Sequence, residues 1–168
     1  SATNLVSQNA HINSINGDVT VSSSQDKIVM ADGIVTTLSN TNGIITYAAN
    51  KNIDVNSFVT DGKVIITTPQ NLLVKDVIRV NNDLNISSND VLLNAQIIGN
   101  KNIIINSTNT YSQNADISTT NGSVQISATN LVSQNAHINS INGDITVSSS
   151  QDKIVMADGI VTTLSNTN

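Results

Sequence analysis

With 168 residues, 11% of them charged, a formal net charge of -5 and only Tyr47, Phe58 and Tyr111 as aromatics, the chain lacks the composition of an ordinary globular core. The lysines and Arg79 are scattered singly, so no basic stripe can neutralise phosphates and no nucleic-acid partner is expected. The absence of cysteine removes disulfide and thiolate–metal readings, and no apolar run approaches the ~20 residues of a membrane helix, so no membrane span is expected in this segment.

Asn, Ser, Thr, Ile and Val dominate instead, with the β-branched residues gathered in short clusters that a solvated chain would not need. The pattern therefore predicts an all-β fold. Residues 1 to 42 return at 127 to 168, an offset of 126, with one change, Val19 against Ile145. Identity at that level marks recent duplication. Ser1 and Asn168 both fall inside the pattern, and the expectation is a window of a longer array without the polar caps that close a solenoid.

Along the chain, a turn signal is repeatedly followed by an apolar-x-apolar triplet, starting at Val19, Ile45, Val64, Leu84, Ile103, Val124 and Ile145. The spacings are 26, 19, 20, 19, 21 and 21 residues, so six short units fill the 126-residue repeat. A period near 20 belongs to solenoids. Asn16-Gly17, Asn42-Gly43, Asp61-Gly62, Asn121-Gly122 and Asn142-Gly143 precede five of the triplets and mark corners. Alternation turns Val19, Val21, Ile45, Val64, Ile66, Leu84 and Ile86 inward, followed by Ile103, Ile105, Val124, Ile126, Ile145 and Val147. Thr20, Thr46, Ile65, Asn85, Ile104, Gln125 and Thr146 face outward between them. The predicted core is a thin aliphatic column in which large rings do not stack easily.

Each unit carries two further apolar patches, such as Ile28 to Met30 with Ile34 to Leu38, or Leu72 to Val74 with Val77 to Val80. Three strands per unit imply three sides per coil. Asn-Gly between strands also suits two-residue hairpins, and an antiparallel meander is the competing arrangement. Recurrence of equivalent turns once per unit favours the parallel coil, because stacking then buries the same positions in register. The predicted fold is a single-stranded parallel β-helix running as one segment over 1–168, with about eight coils of three short strands.

The runs Asn-Gly-Asp-Val-Thr-Val-Ser-Ser at 16–23 and Asn-Gly-Ser-Val-Gln-Ile-Ser-Ala at 121–128 resemble the coil repeats of filamentous haemagglutinin-like exoproteins, and the resemblance covers most of the chain. It implies a right-handed parallel β-helical shaft secreted by a two-partner system, placed outside the cell or on a bacterial surface and carrying adhesive or toxin regions. The asparagine and isoleucine content and the near-identical 126-residue repeat depart from that family's pattern. The expected partners are neighbouring repeat units, copies of the chain itself, and a host or matrix surface.

Chemistry-bearing residues are sparse. His11 and its copy His137 face outward with no second histidine nearby, which suits a surface residue better than a zinc ligand. Asp26 adjoins Lys27 and Lys75 adjoins Asp76, an arrangement that by itself marks no site. A β-helical carbohydrate-active enzyme would use paired carboxylates, and acids such as Asp54, Asp76 and Asp90 could meet across coils, although spacing alone does not place them together. No catalytic activity, metal or cofactor is expected. The Gly-Gly-x-Gly-x-Asp calcium repeat is absent, and the mixed outward column lacks the regular threonine rank of an ice-binding face.

Two interaction features stand out. The longest coil is expected to place its surplus within Ser22–Lys27, making Ser24, Gln25, Asp26 and Lys27 a candidate contact loop. Outward Ile44, Ile65 and Ile104 are candidate lateral contacts between rods. Asn50, Asn52, Asn71, Asn81, Asn82, Asn100 and Asn102 sit near predicted corners, where stacked amides can bond along the axis. The predicted functions are a structural or adhesive shaft, or a self-assembling extracellular fibre or sheath subunit.

Overall fold

The computed structural model describes residues 1–165; the last three residues of the second copy lie outside it. The described chain is all-β and coils through three parallel sheets, two of eight strands and one of seven. Successive strands visit the sheets in strict rotation. Val19–Ser23 lies in sheet one, Ile28–Met30 in sheet two and Val35–Leu38 in sheet three, after which Ile44–Ala49 returns to sheet one beside Val19–Ser23. Among the described residues no strand pairs with its sequence neighbour, so the arrangement is the parallel coil and not the meander.

Register follows the triplets. Val19, Ile45, Val64, Leu84, Ile103, Val124 and Ile145 stand opposite one another along sheet one. Backbone bonds continue past the strands into the corners, as from Val64 N to Asp83 O at 3.0 Å and from Val124 N to Asp144 O at 2.8 Å. Five-residue strands of sheet one read buried and open in alternation, as in Leu84–Ser88 and Ile103–Ser107. Each Ile or Val taken fully from water contributes about 1.5–3 kcal/mol, and the largest part of that is offset by ordering the chain. Among the expected core residues, Val19 through Ile126 are buried, while Ile145 and Val147 are half-buried on the last strand of sheet one.

The core is not purely aliphatic. Tyr47, Phe58 and Tyr111 are all fully buried, contrary to the expectation that large rings would be kept out. Tyr47 takes the inward place between Val21 and Ile66, and its ring meets Phe58 edge to face at a centroid distance of 5.0 Å. Its hydroxyl is satisfied inside, bonding Thr36 Oγ1 at 2.8 Å and donating to Gln8 Oε1. Gln8 in turn donates to Thr36 Oγ1 at 3.1 Å, closing a buried polar triangle. Tyr47→Phe is expected to destabilise the chain by about 1–3 kcal/mol, because Gln8 and Thr36 lose a buried partner. An unchanged denaturation midpoint would show the triangle to be inert. Burial also pushes the Tyr111 phenol far above its ordinary value. A raised folded value means that its contribution is complete below about pH 10 and lost above it. Phenolate absorbance at Tyr111 should therefore develop together with loss of β structure, rather than before it.

The surplus of the longest coil is not concentrated in Ser22–Lys27. Against the coil that begins at Val124, the coil from Val19 to Ile45 has one extra residue before sheet two, two around Ala31–Ile34 and two around Ser39–Gly43. Nor does the first corner bulge: Ser24 N and Gln25 N donate to Ala2 O and Thr3 O at 3.0 and 2.9 Å. The serine-rich composition suggested a loop where the backbone in fact stays in the stack.

Inward hydroxyls join the coils at their corners. Ser88 Oγ donates to Gln70 O at 2.7 Å and Ser107 Oγ to Asn89 O at 2.6 Å, each reaching one coil back. Thr119 Oγ1 does the same toward Lys101 O at 2.6 Å. Where small polar residues stand at inward strand ends they pair corner carbonyls of the neighbouring coil, while Ala49, Ala128 and Val80 fill equivalent inward places without doing so.

Candidate functional site

Outward side chains define what this rod can offer a partner, and they are unevenly distributed. Along sheet two the outward column runs Val29, Asp54, Leu73, Leu92, Ser112 and Ser133. Along sheet three it runs Thr37, Val59, Arg79, Ile98, Ser118 and Asn139. Apolar residues thus occupy the middle coils on both faces, and hydroxyl and amide residues predominate in the following coils.

Two shallow grooves lie on these columns. One, of about 400 Å³, has Leu73 and Leu92 on its floor and Asp54, Asp90 and Asn71 at its sides. The other, of about 410 Å³, is lined by Val59, Arg79, Thr37, Asp61 and Asn81. Asp90 is held by its surroundings: Asn109 Nδ2 and Thr110 N donate to Oδ1 at 2.7 and 3.0 Å, and Asn89 Nδ2 to Oδ2 at 3.1 Å. Asp61 accepts from Asn81 Nδ2 at 2.6 Å. Among the described residues, neither Asp54 nor Arg79 has an ion-pair partner.

The candidate residues read from the sequence fall elsewhere. Ser24, Gln25 and Lys27 are exposed and Asp26 half-buried, in the pinned corner described above. Asp26 pairs with Lys51 of the next coil at 3.6 Å, not with its neighbour Lys27. Ile44, Ile65 and Ile104 are half-buried and do not form one column: Ile44 stands opposite Lys63, and Asn85 separates Ile65 from Ile104. His11 and His137 are exposed, each accepting a backbone N–H from the next coil, Val35 at 3.0 Å and Val161 at 3.1 Å. The ring is thereby used as a strap between coils. Asp54 and Asp90 share a groove, with Leu73 opposite Asp54 and Asn71 opposite Asp90. No group of three His, Cys, Asp or Glu side chains converges among the described residues.

Asparagine forms the ladders its corner positions suggested, although mostly at other positions. Asn114 Nδ2 donates to Asn94 Oδ1 at 2.9 Å and Asn135 Nδ2 to Asn114 Oδ1 at 3.0 Å. A second run joins Asn142, Asn121 and Asn100 at 3.2 and 2.8 Å. Asn102 and Asn52 instead accept backbone N–H groups from Ser123 and Asn71.

Lys75 makes the longest-reaching tie. Its ammonium donates to Met30 O and Asp32 Oδ1, both at 3.0 Å, crossing the intervening coil. The residues added around Ala31–Ile34 lean over the tight corner at Asn56, whose amide donates to Ala31 O. The hydrogen bond and charge of Lys75 hold the Asp32 carboxyl below its ordinary value. A depressed folded value means that the tie is present above the usual carboxylate range and is lost as pH falls through the folded value. Lys75→Gln should return the Asp32 titration, followed by carboxyl NMR, to that of an ordinary exposed aspartate. A titration unmoved by the substitution would deny the tie in solution.

Among the described residues no helix is long and apolar enough to cross a membrane. Fold and surface together define a parallel β-solenoid built from tandem repeats. Comparison with protein-family models, curated proteins and solved structures finds no match to this chain.

Proposed function

We propose that this chain is a length of stiff shaft in an adhesive filament, extracellular or displayed on a bacterial surface, of the filamentous haemagglutinin-like kind that its coil motifs resemble. The observation that carries this reading is the return of residues 1–42 after 126 residues, with Val19 and Ile145 in the same sheet and six unequal coil spacings between them. Coils of equal size are the simplest way to make a rod; unequal ones repeated as a block give a surface pattern that recurs along it. Each further 126-residue unit adds six rungs, or about 29 Å at ~4.8 Å per rung. The shaft's role is geometric: it sets the distance at which a host or matrix surface is met. No catalytic role is assigned to it.

A self-assembling fibre subunit is the second reading, and the mode of stacking speaks for it: each coil pairs with the next through the same in-register parallel ladder, which can join coils of one chain or of two. Cryo-electron microscopy of the native filament, tracing the chain from one 126-residue unit to the next, separates them. Continuous density supports the shaft; a break between chains at a coil boundary replaces it with the fibre.

A further inference from the structure

In a solenoid each coil ordinarily touches only the coils on either side of it. Two corner side chains of this chain skip a coil. Lys75 Nζ donates to Met30 O and Asp32 Oδ1, both at 3.0 Å, and at the next corner Asn82 Nδ2 donates to Thr41 O at 3.0 Å. Lys75 and Asn82 belong to the coil 64–83 and their acceptors to the coil 19–44, so both straps pass over the coil 45–63.

Register shows how such straps become possible. From sheet two to sheet three, the first of these coils places residues 31–35 between Met30 and Thr36, where the next has only 56 and 57 between Val55 and Phe58. From sheet three to sheet one it places 39–44 between Leu38 and Ile45, against 61–63 between Thr60 and Val64. The long coil therefore exceeds its neighbour by three residues at each corner. Both surpluses are bonded down onto the shorter coil: Asn56 Nδ2 donates to Ala31 O, and Lys63 N donates to Gly43 O at 2.9 Å. The first surplus turns at Gly33 with φ of +74, and its copy Gly159 repeats the turn at +78, so both copies specify the same shape. The Lys75 side chain lies along the rod, 26% exposed, while that of Asp32 is 93% exposed. The bond to Met30 O is thus the firmer part of that strap, because an exposed ion pair contributes little.

We propose that the two straps form a clamp on the coil 45–63, which can part from the stack only after a strap has opened. The unequal coil lengths then have a role: the surplus of one coil is the material of the clamp on the next. Local opening is directed instead to later coils, where corner side chains such as Asn114 and Asn135 tie only adjacent coils. This device goes beyond the shaft role and holds for either a shaft or a fibre.

The test is native-state hydrogen exchange on the full chain, followed residue by residue by NMR. Fraying from the ends alone would protect central strands best. With the clamp, amides of Ile53–Val55 and Ser57–Thr60 should exchange at least as slowly as those of the more central Ile97–Gly99. Lys75→Met with Asn82→Ala should speed exchange in the clamped coil by about tenfold and leave Ile97–Gly99 and Ile117–Thr119 unchanged. The substituted side chains bond the coil 19–44 and not the coil whose exchange is read, so the effect reports the clamp itself. Each single substitution keeps one strap and should give a smaller acceleration, which carries the test if the double variant does not fold. Asn114→Ala, which removes a tie between adjacent coils, should leave the clamped coil unmoved. Unchanged exchange in the substituted chains overturns the proposal, as does equal acceleration along the whole rod. A wild-type coil 45–63 that exchanges faster than Ile97–Gly99 overturns it equally.

Discussion

Gly122→Ala is expected to destabilise the chain by about 3 kcal/mol, near the upper end of what an added methyl costs in a closed site. A Cβ at Gly122 would lie 2.2 Å from the carbonyl carbon of Lys101 and 2.5 Å from Asn102 N, atoms of the neighbouring coil's backbone that cannot rotate aside. Gly143 meets Gly122 O at 2.3 Å and Gly62 meets Gly43 O at 2.2 Å, so the close approach recurs in these coils, while Asn82 and Lys101 hold the equivalent place in two others. The requirement is close approach, not backbone freedom. Gly33 is the contrasting case, with φ of +74 and open space around it. Alanine there should cost only the left-handed strain of about 1–2 kcal/mol. Gly17, whose nearest atom is Ser14 Oγ at 3.8 Å, should accept alanine with almost no change in this chain. Denaturant midpoints of the three variants check the order. A Gly122→Ala midpoint equal to that of wild type would mean that the coils stand farther apart at this corner.

Ile105→Asp is expected to be as damaging or worse, costing about 3–5 kcal/mol for a buried charge without a partner. Ile105 is fully buried between Ile86 and Ile126 in the inward column of sheet one. Its neighbour Ile104 faces outward beside Asn85 and Gln125, so Ile104→Asp should shift stability by roughly 0.5 kcal/mol or less. The pair is a direct test of register, because a slip of one residue exchanges inside for outside along the strand. Equal damage from both substitutions would rule out the described register.

The readings that succeeded and those that failed divide along strand length. Sheet one strands such as Leu84–Ser88 and Val124–Ala128 have five residues, long enough for alternation to show and to set coil boundaries correctly. Strands of sheets two and three are often three residues long, as at Ile78–Val80 and Ile97–Gly99, and too short to reveal which side chain faces out. Leu73 was legible only as part of an apolar patch, and Leu92, Val59 and Ile98 were not singled out, although all four face outward along sheets two and three. Lys75 and Asp32 are 43 positions apart, a separation at which no local pattern signals contact. The buried aromatics were misjudged for another reason: a hydroxyl ring is accommodated when Gln8 and Thr36 can serve it from other coils, a condition no single strand displays.

Because neighbouring coils are joined by backbone bonds running along the rod, a lengthwise pull loads those bonds rung by rung instead of all together. The rod then yields by peeling single coils. A coil of about 20 residues occupies ~4.8 Å of folded length but spans roughly 70 Å once drawn out. Each coil lost takes up more than ten times its folded length while the coils behind it stay folded. Under tension the molecule is thus a rigid spacer below its yield force and a shock absorber above it, with slack released in units of one coil.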